Sequence, residues 1–465
     1  MKADDPLLVA WEKTLAAKTD APAIFKTCGE VVCTFRQIDE RARAFAAEVA
    51  KFAPGSVVAV QLGNHRDWPA IFLGCLRSRF VVLPIDESVT EQQRDAALEL
   101  CRASAVVPAV PSENSPEIIR LRTADATANW GEKIPTLLKL TSGTTEAARA
   151  VRFRSQQLLA DCDQICETMG IEDVDLNFGA IPISHSYGFS NLLTPLIARG
   201  VPLVLSRDRT PRALLVDLAR SGATVFPGTP VFFQALAEMD DIPRLPKLRL
   251  CISAGAPLPV AVARKFREKF KLPIHSFYGA SECGGICYDR EATTDVEGFV
   301  GQPMKHVDLE PLDPEAQPSQ VRVRSAATGD GYFPEADDEK LGHGCFTPDD
   351  VLEKTLAGFR IVGRVSDVIN VAGKKVNPAE VEAQLLRFDG VRQAVVFGRE
   401  SAQRTEEVTA CVVADRTIGE PELLRFCRET LSPWQAPKRI FLVDQIPANE
   451  RGKISRRELA QRFAE

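Results

Sequence analysis

Apolar residues along the first two-thirds of the chain change repeatedly between two patterns. Segments 57–62 and 80–85 are short and rich in valine, which is typical of buried strands. Segment 68–76, between them, places apolar residues at helical spacing. Further strand-like runs lie at 201–205, 223–226, 250–253 and 274–278. Strands that alternate with helices in this way predict parallel α/β layers.

One predicted helix, over residues 35–52, has a well-defined apolar face. Ile38, Ala42, Phe45 and Val49 recur every three or four residues, with charged side chains on the opposite face. Thr34 directly precedes this segment and is a typical N-cap residue, because its hydroxyl can accept a hydrogen bond from a backbone N–H of the first turn.

From about Val307 the pattern changes to short alternating strands, such as 320–324. Segment 310–319 is rich in Pro, Asp and Glu and is predicted to be a loop. After Gly363 the chain forms a unit of about 100 residues, which is an ordinary domain size. Its predicted strands are 394–397 and 408–413, and its predicted helices are 378–386 and 421–431.

The composition narrows the class of protein. A chain of 465 residues is too long for one hydrophobic core, so we expect more than one domain. The 45% of hydrophobic and 26% of charged residues are ordinary for a globular protein, and a net charge of −6 argues against a nucleic-acid binder. The twelve cysteines are scattered without a CxxC pair, so we expect buried thiols rather than disulfides or a zinc site. With no signal-peptide pattern and no apolar run of membrane-spanning length, we expect a cytoplasmic protein.

The clearest candidate for chemistry is a cluster of small residues after an apolar strand. The strand-like run Leu137-Leu138-Lys139-Leu140 leads into Thr141-Ser142-Gly143-Thr144-Thr145. Hydroxyls and exposed backbone N–H groups can surround a polyphosphate, because small residues allow a close approach. The cluster matches neither the Walker loop nor GxGxxG, and an ordinary turn is the alternative.

Polar side chains in three other places could also serve a nucleotide site. Tyr278 and Glu282 end a predicted strand, where the ring could stack on a base and the carboxylate could hold a metal. The alternative there is a strand end with a buried tyrosine. Arg364 and Lys375 lie in two glycine-containing loops, and Lys453 lies in a third. Such a lysine either reaches a developing negative charge or is simply solvated.

These segments, in this order and spacing, resemble the adenylate-forming superfamily, which includes acyl-CoA synthetases, stand-alone adenylation enzymes and luciferases. The resemblance covers nearly the whole chain. Segment 34–40 is similar to the family's early helix opening, 253–258 to its Gly-Ala-Pro-Leu nucleotide segment, and 298–303 to its Gly-x-Val-Gly-x-Pro turn.

The resemblance implies an α/β fold in two parts. A large N-terminal domain would contain layered α/β sheets with a small β-barrel-like subdomain, and a small, mobile α+β domain would follow. The family's hinge position corresponds to Ser366, so the predicted domains are 1–365 and 366–465. The second domain is nearly neutral, whereas the first carries the net negative charge.

The resemblance also implies ATP, Mg²⁺ and CoA (or a phosphopantetheine carrier) as cofactors, together with a role for each candidate residue. The β- and γ-phosphates would contact Thr141, Ser142, Gly143, Thr144, Thr145 and Arg149. The base and the α-phosphate would contact Gly255, Ala256, Pro257, Tyr278, Gly279, Ala280 and Ser281. The ribose would contact Asp350, Arg364 would contact the ribose or a phosphate, and Mg²⁺ would contact Glu282 and Thr144. Lys453 would bridge the substrate carboxylate and the α-phosphate during adenylation.

Some positions depart from the family pattern. Glu146 replaces a glycine and would add negative charge beside a polyphosphate, and Asn449 replaces a frequent threonine. The ribose segment has two adjacent acids, so Asp349 is an alternative to Asp350. The hinge residue Ser366 stands where aspartate is frequent. Because of these departures, a nucleotide-binding homologue with impaired catalysis stays an alternative to an active enzyme.

Residues 182–189 resemble the Pro-x-x-His-x-x-Gly run of family members that activate acyl and aryl acids. The resemblance makes His185 a catalytic lid over the carboxylate site. The implied substrate pocket also includes Ser186, Phe189, Ser253 and Gly284. Since the run contains no aspartate to pair with a substrate ammonium, we expect a fatty or aromatic acid with an uncharged tail rather than an amino acid.

The expected reaction forms an acyl-adenylate and pyrophosphate, and a thiol then displaces AMP. The sequence continues for only twelve residues after Lys453. We therefore expect the thiol to come from CoA or, alternatively, from a separate acyl carrier protein.

Overall fold

The computed structural model describes residues 5–111, 114–121, 128–131, 133–141, 149–208, 210–293, 295–315, 318–371, 374–401, 404–415, 417–447 and 455–463. The architecture is mixed α/β, with a large sheet-rich N-terminal part and a small C-terminal part, as predicted. Residue Ser366 lies in a short 3₁₀ turn, Val365–Asp367, between the two parts. The division at 365/366 stays a prediction.

One extended sheet runs through the large part. Its strands, in spatial order, are Leu341–Gly342, Cys345–Phe346, Ser319–Ser325, Asp350–Lys354, Phe359–Arg364, Phe299–Pro303, Gly284–Tyr288, Ile274–Ala280, Leu250–Ser253, Val225–Gly228, Asn177–Gly179, Leu203–Leu205, Pro22–Lys26 and Val31–Thr34, and Val307–Pro311 pairs with Ser319–Ser325. Neighbouring strands from Ile274–Ala280 to Pro22–Lys26 are parallel, and the strands from Ile274–Ala280 to Leu341–Gly342 pair antiparallel.

A second sheet lies beside the first. Its strands, in spatial order, are Tyr332–Phe333, Arg149–Phe153, Leu137–Thr141, Val81–Pro84, Val57–Val60, Ala103–Val107 and Ile119–Arg120. The four central strands are parallel. Three of them, Val57–Val60, Val81–Pro84 and Ala103–Val107, are completely buried, which explains their apolar, valine-containing composition.

Helices cover these sheets and supply much of the core. In the large part they are Pro6–Lys18, Phe35–Val49, Trp68–Arg77, Glu91–Leu100, Ser155–Met169, Ser186–Gly188, the π-helical turn Phe189–Leu193, Thr194–Arg199, Pro211–Ser221, Pro230–Glu238 and Val260–Phe270. Thr34 caps its helix as predicted, because its Oγ1 accepts from the Gln37 N–H (3.3 Å) while the Gln37 side chain accepts from the Thr34 N–H (3.0 Å). The helix ends at Val49 rather than at Phe52, which lies in the following turn and is still buried.

The small C-terminal part has its own apolar core. Its strands are Ile369–Val371, Lys374–Val376, Val391–Ser401, Arg404–Ala414 and Arg439–Leu442, and its helices are Pro378–Leu385, Glu420–Thr430 and Arg456–Arg462. The predicted strands and helices are therefore present, although both long strands extend well beyond the predicted apolar runs. The predicted loop 310–319 begins two residues later than expected, since Glu310 and Pro311 pair with Arg322 and Val321 in a hairpin.

The cysteines are free, and ten of the twelve are buried. Burial raises the pKa of Cys101 and of Cys251 to about 12, as expected for thiols in apolar surroundings. Only Cys28 is exposed, in the turn between Pro22–Lys26 and Val31–Thr34, and Cys345 is half-buried. Among the described residues there is no cluster of three potential metal ligands and no helix with the length and apolarity needed to span a membrane.

Candidate active site

A cavity of about 720 Å³ opens where the strands of the two sheets end. The carboxyl ends of Val81–Pro84, Leu137–Thr141, Leu250–Ser253 and Ile274–Ala280 contribute to its walls. Ligands of α/β proteins bind preferentially at this edge of a parallel sheet. Of the residues predicted for the site, the cavity is lined by Thr141, His185, Ser186, Gly255, Gly279, Ala280, Ser281 and Gly284.

His185 is held by a carboxylate that the sequence analysis missed. Its Nε2 lies 2.8 Å from Oδ2 of Asp86, just beyond the strand Val81–Pro84. Asp86 also accepts from the Ser88 N–H (2.9 Å), the Ser88 hydroxyl and the Ser184 hydroxyl (3.1 Å). Burial raises the pKa of Asp86, but the bonds from His185 and Ser88 outweigh it and hold that pKa well below its ordinary value. The pocket therefore does contain an aspartate, although segment 182–189 does not. The only sign of Asp86 in the sequence is that an acid follows a buried strand.

Four polar contacts of one side chain fix the segment that leads to His185. The Asn64 side-chain amide donates to the carbonyls of Gly179 (2.8 Å), Ile181 (3.1 Å) and Ser206 (3.2 Å), while its oxygen accepts from the Ile183 N–H (3.0 Å). Asn64 is almost completely buried. It acts as a bridge between two loops, and the sequence gives no periodic signal for it.

The end of this segment joins the two halves of the predicted site. The Ser186 hydroxyl donates to Oγ of Ser281 at 3.0 Å, so a predicted substrate residue meets a predicted phosphate residue. Gly188 is required two residues later, because a Cβ there would lie 2.0 Å from the Pro182 carbonyl oxygen. The Pro-x-x-His-x-x-Gly spacing thus closes a tight turn that presents His185 and Ser186 to the cavity.

Tyr278, Asp350 and Arg364 form a hydrogen-bonded cluster. The Tyr278 hydroxyl donates to Oδ2 of Asp350 at 2.7 Å, and Arg364 Nε donates to Oδ1 at 2.6 Å. Asp350 and Arg364 are paired residues of neighbouring antiparallel strands, which explains their contact. Burial, together with the negative charge of Asp350, raises the pKa of Tyr278 well above its ordinary value.

The neighbouring acid has a different partner. Asp349 accepts from the Lys340 ammonium at 3.0 Å. Of the two alternatives for the ribose-binding acid, Asp350 is the one that contacts other predicted nucleotide residues.

Glu282 and Arg149 both interact with Tyr332. The Tyr332 hydroxyl donates to Oε1 of Glu282 at 3.2 Å, and the Arg149 guanidinium lies 5.4 Å from the Tyr332 ring centroid. Arg149 also pairs with Asp337 at 3.5 Å. Burial raises the pKa of Glu282, since few groups stabilise its charge. A carboxylate in this position fits Mg²⁺, which takes one or two protein carboxylates and completes its shell with phosphate oxygens and water.

Other predicted residues lie elsewhere. Phe189 packs between Trp68 and Phe72 and Ser253 is almost completely buried, and neither lines the cavity. Ala256 and Pro257 are exposed in the turn after Leu250–Ser253. The predicted residues Ser142, Gly143, Thr144, Thr145 and Lys453, together with Glu146 and Asn449, lie outside the described residues.

Solved structures share the complete fold. ATP-bound MatB from Rhodopseudomonas palustris superposes with a TM-score of 0.85 at 22% identity, covering 98% of this chain and 99% of MatB. The anthranilate CoA ligase AuaEII in complex with anthranoyl-AMP has a TM-score of 0.81 at 20% identity, covering 98% of this chain and 96% of AuaEII. The fold is thus shared with an ATP-bound protein and with a CoA ligase that holds an acyl-adenylate.

Sequence comparison identifies the family. The model for the AMP-binding enzyme matches residues 11–333, and the model for the AMP-binding enzyme C-terminal domain matches residues 380–453. The chain therefore belongs to the AMP-binding enzyme family, and it is an AMP-forming acid–thiol ligase that uses ATP to activate a carboxylic acid.

Curated relatives differ in substrate and acceptor. A long-chain-fatty-acid–CoA ligase of Escherichia coli O6:H1 is 27% identical, over 97% of this chain and 94% of that protein. A 3,4-dihydroxybenzoate–[aryl-carrier protein] ligase of Bacillus anthracis is 26% identical, over 79% of this chain and 82% of that protein.

Proposed function

We propose that this enzyme joins a fatty or aryl acid to CoA through an acyl-adenylate. The observation that carries the proposal is the contact between Ser186 and Ser281 at the rim of the cavity, beside His185 and Thr141. This contact supports the proposal because the predicted acid-binding segment and the predicted nucleotide-binding segment meet there, and a carboxylate and an α-phosphate would have to meet at such a point.

The first half-reaction forms a P–O bond and breaks another. A carboxylate oxygen of the substrate attacks the α-phosphorus of ATP, and pyrophosphate leaves. Ser281 would donate to an α-phosphate oxygen, and Lys453 would bridge the two reacting groups and offset their charge. His185, oriented by Asp86, would cover the carboxylate and exclude water.

The nucleotide would be oriented by residues that lie outside the lining of the cavity. Asp350 would accept from the ribose hydroxyls, since a carboxylate can accept from both at once. Glu282 would hold Mg²⁺, whose chemistry is to neutralise phosphate oxygens. In the second half-reaction a thiolate attacks the acyl carbon, and the C–O bond to AMP breaks.

A carrier protein is the second candidate acceptor. The Bacillus anthracis relative, which is an aryl-carrier protein ligase, supports this alternative at almost the same identity as the CoA ligases. Both acceptors present the same phosphopantetheine thiol, so the residues of the cavity do not separate them.

The test is pyrophosphate release over a panel of fatty, aryl and amino acids, with and without CoA. We expect release with at least one fatty or aryl acid and formation of its CoA thioester. Loading of a phosphopantetheinylated carrier without CoA turnover would favour the second acceptor. Lys453→Ala should abolish adenylation, whereas Lys265→Met, on the exposed side of helix Val260–Phe270, should leave it unchanged. No acid-dependent pyrophosphate from any acid would refute the proposal.

A further inference from the structure

One lysine of the cavity wall lies in an environment that disfavours its charge. Lys139 belongs to the buried strand Leu137–Thr141, is 5% exposed, and lines the cavity. Its neighbours in the strand, Leu138 and Leu140, are apolar. Because side chains alternate along a strand, Lys139 lies on the same face as Thr141, about 6.7 Å before it along the strand. Lys139 is also more deeply buried than Thr141.

The Lys139 ammonium has no polar partner within the described part of the chain. No carboxylate lies within 4.0 Å of it and no hydrogen bond is formed, whereas its Nζ lies 4.6 Å from the ring centroid of Phe153 and 6.0 Å from that of Phe189. Burial lowers the pKa of Lys139, and the charge of Asp161 opposes that effect only in part. An ammonium buried in this way is costly unless a hydrogen-bond acceptor reaches it.

Asp161, the acid with the largest effect on the lysine charge, is itself engaged elsewhere. Asp161 accepts from the backbone N–H of Gly285 at 3.0 Å, and it is buried directly under Gly284, where a Cβ would approach its Oδ1 to 2.1 Å. Asp161 therefore offsets the lysine charge at longer range without accepting its hydrogen bonds. Since Lys139 is otherwise enclosed by aromatic rings, the cavity is the route by which a partner can reach its ammonium.

We propose that Lys139 is a specificity-determining residue that donates a hydrogen bond to an oxygen on the tail of the acid. The enzyme then activates acids with a hydroxyl on the tail in preference to the same acids without it. A neutral oxygen fits better than a second carboxylate, because Asp161 already balances the lysine charge. This inference rests on the proposed function and refines it, since it replaces a plain hydrocarbon tail by an oxygenated one.

The test compares matched acids in two variants. The acids are benzoate with the three hydroxybenzoates, and octanoate with 8-hydroxyoctanoate. Terephthalate is added to test whether the site prefers a second carboxylate to a hydroxyl. For each pair, kcat/KM of the oxygenated acid is divided by that of its parent. We expect a ratio above ten for at least one hydroxy acid in the wild type, and at least a tenfold lower ratio in Lys139→Met, which keeps the length of the side chain without its charge. Lys265→Met is the control and should keep the wild-type ratio.

The thermal midpoint of the ligand-free protein separates specificity from a structural role. If Lys139 serves only to balance Asp161, Lys139→Met should lower the midpoint and leave the ratio unchanged, and that result would overturn the inference. If Lys139→Met fails to fold, Lys139→Gln keeps a neutral donor and should give an intermediate ratio. Preference for terephthalate over every hydroxy acid would overturn the neutral-oxygen assignment. If acids are turned over but Lys139→Met keeps the wild-type ratio, only the role proposed for Lys139 is refuted. If no acid is turned over, the proposed function and this inference are refuted together.

Discussion

Replacing Asn64 by leucine tests whether one buried amide maintains the segment that presents His185. The substitution keeps the volume but removes four polar contacts, three to carbonyls and one to the Ile183 N–H. The amide has two donor hydrogens, so two donor bonds are lost at about 1 kcal/mol each, and the unpaired Ile183 N–H adds about 1–2 kcal/mol. We expect the free energy of unfolding to fall by about 3–4 kcal/mol.

The assay is urea unfolding followed by tryptophan fluorescence, since Trp68 packs against Phe189 beside this segment. The KM for the acid should rise more than the KM for ATP, because the displaced turn carries His185. Asn114→Leu, at an exposed position, is the matched control and should change the free energy of unfolding by less than about 0.5 kcal/mol. A loss below about 1 kcal/mol for Asn64→Leu would show that backbone groups find other partners and that the reasoning is wrong.

Three further substitutions test the electrostatics of the site. Asp86 has a depressed pKa, so its ionised form stabilises the folded enzyme above about pH 4 and this contribution is lost as the pH falls; thermal unfolding at pH 5 and pH 3 should therefore show a smaller loss for Asp86→Asn than for the wild type. Glu282 has a raised pKa, so its ionisation costs stability as the pH rises above about 4.3. Glu282→Gln should therefore raise the thermal midpoint at pH 7.5 and lower Mg²⁺-dependent pyrophosphate release. An unchanged midpoint would contradict burial as the cause of the raised pKa. Tyr278→Phe removes the bond to Asp350 and should cost about 1.5–3 kcal/mol in urea unfolding, whereas Tyr288→Phe, whose hydroxyl has no hydrogen bond among the described residues, should cost clearly less.

Local patterns predicted the elements well because the forces that form them act over a few residues. The Thr34 cap and the face of helix Phe35–Val49 depend on neighbours three or four positions apart. Strand Leu250–Ser253 matches its prediction to the residue because it is apolar throughout and buried. The ends of Val391–Ser401 were harder, since the hairpin continues past the apolar residues through backbone pairing that any side chain allows.

Residues whose role depends on distant partners could not be predicted in this way. Asn64 contacts loops more than a hundred positions away, and Asp86 meets His185 only because two sheets end at the same cavity. Lys139 is visible in the sequence as a charge within an apolar strand, but the sequence does not say whether such a lysine faces solvent, an acid or a cavity. The roles of the motif positions from Tyr278 to Asp350, by contrast, rest on resemblance and stay predictions. The contacts of Asp350 with Tyr278 and Arg364 favour it over Asp349.

The burial of the cysteines has a practical consequence for following the motion expected of the small domain. Alkylating reagents attack the thiolate, so buried thiols with raised pKa values react slowly, whereas Cys28 is open to solvent. With Cys345 changed to serine, a maleimide dye would label Cys28 at the edge of the large domain. A second dye on a cysteine introduced at an exposed position of helix Glu420–Thr430 would then report, by energy transfer, the distance between the domains as ATP, acid and thiol are added in turn.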